Sequence, residues 1–293
     1  MADTSDRLGS ALKNTLDSHG FSFHYAVVRY CEELFSARKS HWRFEVAEFP
    51  VEVRDAAAPI DFILHGKSQF SGIAAYLVCE CKRPNPAISQ WAFVRAPYTR
   101  RNRRQRFTVF EGIWIEPTTG RLISAPSKLR DLIEPYDLGI ELRGDAKGES
   151  QGAGRGAIED AATQVLRGVS GLIDFFKDNP RVLSEQALVV PVVFTTARLF
   201  SSAVDLGTAD LNTGKLPDGV STEEAPWLWF QYNLSSSLRH SAPKEVPSGG
   251  LMSLGSVLEH QHARSIAVVS PSGIEGFLQQ MPTNLEDLEA LKS

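Results

Sequence analysis

Apolar residues recur along this chain with two different periods, and the switches between them mark out its elements. A short helix is predicted around Leu8 to Leu16, closed by the break Ser18-His19-Gly20. From Phe23 to Lys39, Val27, Tyr30, Cys31 and Leu34 follow helical spacing, which predicts an amphipathic helix. The stretch WRFEVAEFPVEVR (42–54) reads as strand interrupted at Pro50. Two apolar runs on either side of HGKSQFSG then predict a β-hairpin ending at Lys82 and Arg83. TVFEGIWIEPTTGRLI predicts a second hairpin around Pro117 to Gly120. The five glycines of LRGDAKGESQGAGRGA predict a mobile loop.

Past that loop, Ile158, Ala162, Val165, Val169, Leu172 and Phe176 form one stripe, the clearest helical signal in the chain, over 158–178. ALVVPVVFTTARLF is apolar throughout, as expected of a strand covered on both faces. Further strands are predicted at 227–234 and 264–270, and a last helix from Ile274 after PSG. This order of elements predicts an α/β protein in which helices flank a mixed central sheet.

The chain has 293 residues, enough for one large domain or two modest ones, and an ordinary globular composition. No apolar run approaches the ~18 residues that span a bilayer, and the N-terminus lacks the apolar core of a signal peptide. The expected location is the cytoplasm. Cys31, Cys79 and Cys81 are an odd count with no CxxC pair, which argues against a disulfide framework and a cysteine zinc site. The net charge is −4, yet Arg95, Arg100, Arg101, Arg103, Arg104 and Arg106 follow one another without an intervening acid. These arginines, interleaved with Tyr98 and Phe107, suit phosphate contacts and base stacking; the alternatives are a solvated loop or a contact with an acidic protein.

The candidate chemistry sits at the end of the first hairpin. In AAYLVCECKRP, Glu80 and Lys82 share one face of a strand that is otherwise apolar on both sides. Such a pair is either a rim emerging into water or a desolvated site that needs compensation. Asp61 is the only acid in PIDFIL, and a turn around 69–71 would place it across from, or just short of, Glu80. Two carboxylates that close repel unless one is protonated or a cation lies between them. Hard oxygen ligands without histidine or thiolate suit Mg²⁺ or Mn²⁺.

Asp61, a hairpin and then Glu80-Cys81-Lys82 resembles the D-xn-ExK signature of the PD-(D/E)XK nuclease superfamily, although the proline is displaced to Pro59-Ile60-Asp61. The resemblance implies a restriction-endonuclease-like core in which Asp61 and Glu80 hold Mg²⁺ or Mn²⁺ and the carbonyl of Cys81 adds a ligand. Lys82 would position or deprotonate the attacking water. It also implies a contributing helix glutamate, Glu33 rather than Glu32, and a glutamine on a later helix, Gln164. Related families carry tyrosine four residues beyond that glutamine, where this chain has Gly168. The resemblance covers 23–82 and 156–200, leaving 84–156 as an insertion that carries the arginines.

The activity implied is metal-dependent phosphodiester hydrolysis by a DNA endonuclease of restriction or phage-defence type. RNA is the other candidate substrate, and a homodimer or larger defence complex a candidate assembly. The competing reading is an inactive or partner-gated module of the same fold that binds nucleic acid or a protein. His260 and His262 beside Glu259 read as exposed polar residues without a third ligand. GAGRGA lacks the ending of a phosphate-binding loop, and no GxSxG elbow occurs.

Overall fold

Strand β5 (Ala74–Lys82) and strand β10 (Ala187–Thr195) run parallel through the middle of the computed structural model, and the rest of the molecule is arranged about them. The structure describes residues 2–18, 20–53, 56–57, 59–67, 73–85, 89–96, 108–116, 118–129, 134–142, 156–183, 186–233 and 263–286. Helices α1 (Ala2–Ser18) and α2 (Phe21–Ser36) open the chain. Gly20 joins them at φ 78°, a left-handed conformation that glycine adopts without steric penalty.

Strands β1 (Arg43–Phe49) and β4 (Ile60–Lys67) complete one side of the sheet, in the antiparallel order β1-β4-β5. Between them lies a two-strand ladder of β2 (Glu52–Val53) and β3 (Ala56–Ala57). On the far side of β10 run β14 (Ala263–Val269), parallel to it, and then β13 (Trp227–Asn233), antiparallel to β14. The sheet is therefore mixed, as the element order predicts.

The segment expected as an insertion is built into both sheets. Its β7 (Thr108–Ile115) and β8 (Leu122–Leu129) form the predicted hairpin, and β7 pairs antiparallel with Ala187–Val189 of β10. β14 takes over the pairing at Val192–Phe194. Pro191, which cannot donate to a ladder, falls in the gap between the two partners. A second sheet, order β12-β11-β6-β9, went unread in the sequence. It comprises β6 (Gln90–Val94), β9 (Leu138–Leu142), β11 (Arg198–Ser202) and β12 (Glu223–Glu224). The run 187–200, read as one strand, is in fact β10 and then β11, turning at Thr196 and Ala197 into the second sheet.

Helix α3 (Gly156–Asp178) lies between the sheets. Its six predicted stripe residues are buried together with Ile60, Val78 and Val189 of the main sheet and Trp91, Phe93 and Leu199 of the second. Small residues set the approach: a Cβ at Gly168 would stand 3.0 Å from Ile60 and Val78, and one at Gly171 would overlap Val51. The helix start is fixed by β9, because the buried Glu141 accepts the orphan N–H groups of Ala157 and Ile158. On the opposite face, α2 and α4 (Ile274–Glu286) cover Phe62, Leu64, Leu77, Val190 and Val192. No helix among the described residues is long and apolar enough to cross a membrane.

Candidate active site

Three carboxylates line one cavity where β5 ends. The β4–β5 ladder terminates at Phe62 opposite Cys79, and one step further along the same register puts Asp61 opposite Glu80. On the other side of β4, Ala47–Phe62 and Phe49–Ile60 are paired, so Glu48 of β1 lies level with Asp61. Three adjacent strands thus bring Glu48, Asp61 and Glu80 into one row. These side chains, with Lys82, Gln164 and His24, line a cavity of about 300 Å³.

Local hydrogen bonding holds the row in place. Cys81 lies beyond the ladder, and its backbone N–H donates to Asp61 Oδ2 at 2.6 Å, where a neighbouring strand would have offered a carbonyl. Lys82, on the same face as Glu80, donates from Nζ to Gln164 Oε1 at 3.1 Å. Glu48, the penultimate residue of β1, has φ 51°, an unusual conformation for a residue with a Cβ. His24 Nδ1 is 3.5 Å from Glu48 Oε1, and its ring stacks on Phe62 at 5.7 Å. The buried His24 Nε2 has no hydrogen-bond partner among the described residues.

The electrostatics follow from burial and like charge. Desolvation, reinforced by Asp61 and Glu48 and opposed by Lys82, pushes the Glu80 carboxyl up to about 8. Asp61 is also raised, first by desolvation and then by Glu48, against the Cys81 N–H, His24 and Lys82. The site is short of positive charge. The acids would accept a cation, and the donor set decides its kind. Among the described residues no group of three or more His, Cys, Asp or Glu is close enough to enclose a metal ion. Asp61 and Glu80 are the oxygen donors that could hold a metal ion, and His24 lines the same cavity.

Asp61, Glu80, Cys81, Lys82 and Gln164, five of the residues singled out in the sequence, therefore come together around one cavity. Glu33 does not. It lies on the exposed side of α2, 3.5 Å from Arg29 one turn away, while the face of α2 toward the sheet carries His24, Val27, Val28, Cys31 and Leu34. The third acid comes from a strand, and Glu48 went unnoticed because only the β1–β4 register puts it beside Asp61. His24 gave no signal as a lone histidine on an apolar helix face.

Of the six arginines, Arg95 is engaged within the fold: its guanidinium stands 5.3 Å from the Tyr136 ring centroid and 3.5 Å from Glu134. Arg100, Arg101, Arg103, Arg104 and Arg106 lie outside the described residues, as do Glu259, His260, His262 and most of the glycine-rich segment. Comparison of the chain with protein-family models, curated proteins and solved structures found no match.

Proposed function

We propose that the chain is a Mg²⁺- or Mn²⁺-dependent nuclease with a restriction-endonuclease-like core, its substrate DNA with RNA as the alternative. The observation that carries this reading is the row of Glu48, Asp61 and Glu80 across β1, β4 and β5, with an ammonium beside it. Asp61 and Glu80 would hold the cation, with the Cys81 carbonyl and Glu48 as candidate further oxygens from the same cavity. When bound, such a cation neutralises phosphate charge and makes water a better nucleophile. The chain's own part is positional. The Cys81 N–H fixes one oxygen of Asp61, and Gln164 holds Lys82 at the cavity, where it would orient the attacking water. The expected substrate-binding surface is the arginine segment following Arg95.

The test is cleavage of supercoiled, linear and single-stranded DNA, and of RNA, in Mg²⁺, Mn²⁺ or EDTA. Glu80→Ala and Lys82→Ala should each abolish metal-dependent cutting while each variant keeps a single cooperative thermal transition. Nucleic-acid binding without cutting, unchanged by either substitution, would instead assign the fold to a gated or inactive module. Failure to bind both nucleic acid and Mg²⁺ would overturn the proposal.

A further inference from the structure

Helix α1 stands apart from the logic of the rest of the fold. Every residue from Asp6 to Leu16 is exposed, including Leu8 at 72 %, Leu12 at 58 % and Leu16 at 40 %. With 3.6 residues per turn, Leu8, Gly9, Leu12, Thr15 and Leu16 fall within one stripe roughly 120° wide. The charged residues Asp6, Arg7, Lys13 and Asp17 all fall outside it. An isolated helix of this length is marginal in water, and Gly9 weakens it by a further ~1 kcal/mol. Nothing inside the chain calls for that glycine, since a Cβ there would meet no atom within 4 Å.

We propose that α1 is a dimerisation arm that packs on α1 of a second copy of this chain, antiparallel and centred on Leu12. The stripe is its own complement. A two-fold axis through Leu12 sets Leu8 against Leu16 of the second copy and Gly9 against Thr15, as an isologous interface requires. Gly9 then lets the two backbones approach closely. The i, i+4, i+8 spacing favours a crossed pair in which the ridges interdigitate.

The antiparallel sense follows from how α1 is anchored. Its last turn is tied to the body, where the Arg83 guanidinium donates to the Asp17 carbonyl and Ser18 lines the cavity that holds Asp61 and Glu80. Parallel pairing would drive two bodies into the same space, whereas antiparallel pairing sets them at opposite ends. A lipid surface fits poorly, because surface-bound helices carry a polar face rich in Lys and Arg, and here Asp6 and Asp17 offset Arg7 and Lys13. Two single helices bury less than the ~1,200 Å² of a standard interface, so the dimer should dissociate on dilution.

Sedimentation velocity of the full chain over a dilution series tests this. A reversible monomer–dimer equilibrium is expected, with Leu12→Glu monomeric at every concentration and its circular dichroism and melting transition otherwise retained. Because Leu12 lies on the axis, Leu12→Cys should cross-link to itself under mild oxidation. Leu8→Cys should cross-link only when mixed with Leu16→Cys. Background is low, since Cys31 and Cys79 are buried and Cys81 is partly so. A wild-type chain that is monomeric throughout, or a dimer that survives Leu12→Glu without Leu12→Cys cross-linking, would overturn the proposal. Self-cross-linking of Leu8→Cys would overturn the antiparallel sense.

Discussion

Two acids on neighbouring parts of the same sheet, Glu111 buried and Glu80 half-buried, meet opposite fates. Glu111 on β7 is 3 % exposed and faces Arg264 of β14, 5 % exposed, whose Nε donates to its carboxylate at 2.6 Å while Nη1 donates to the Ala263 carbonyl. This closed ion pair bridges the two strands that share one edge of β10. Glu80, on the other edge of β10, faces two more carboxylates, and the nearest ammonium, that of Lys82, is shared with Gln164. The first acid is satisfied within the chain and serves the fold. The second is left with unfavourable electrostatics, and that imbalance is what makes this cavity the candidate site.

Removing one member of each cluster should move stability in opposite directions. Arg264→Ala strands a buried carboxylate and should destabilise the protein by about 3–5 kcal/mol, read by chemical denaturation. A loss under 1 kcal/mol would mean that Glu111 finds water and that the contrast with Glu80 is false.

Glu80→Gln should do the reverse, in a defined pH window. The folded carboxyl titrates at about 8 against 4.5 for its ordinary value. Below that ordinary value both states carry the proton. As pH rises toward 8 the unfolded chain releases it first, so wild-type stability falls across this interval. The variant should therefore gain on wild type as pH rises, and Mg²⁺ should stabilise wild type alone, by about 2.7 kcal/mol at a hundred times the dissociation constant. Parallel pH profiles for the two proteins, or equal Mg²⁺ stabilisation, would show that Glu80 is compensated in some other way.

Glu48 sharpens the same point on a smaller scale. Its positive φ is a strain that glycine lacks, so Glu48→Gly should raise stability by about 1 kcal/mol while weakening Mg²⁺ binding, measured by titration calorimetry. A destabilised variant with unchanged Mg²⁺ affinity would return Glu48 to an ordinary strand role.

Much of this was legible in the chain itself. The periodicity of α3, the apolar run of β10 and both hairpins are local patterns, and local patterns survive folding because each residue's face is set by its near neighbours. The hairpin also carried the Asp61–Glu80 juxtaposition, since short-range antiparallel pairing leaves few registers open.

What lay beyond reach depended on contacts between distant segments. Nothing in 84–142 shows locally that β7 will pair with β10, or that β6 and β9 will join β11 in a second sheet. The partnership of Glu111 with Arg264, 153 residues apart, is invisible for the same reason. Glu33 was the natural helix acid by position, yet the rotation of α2 on the sheet turned it to solvent, and the β1–β4 register supplied Glu48 instead. Sequence alone determined which residues could carry charge at a strand end, because that is a matter of residue type and period. Only the tertiary structure decided which charges stand together, because desolvation and Coulomb repulsion depend on distances that strand register and helix rotation set.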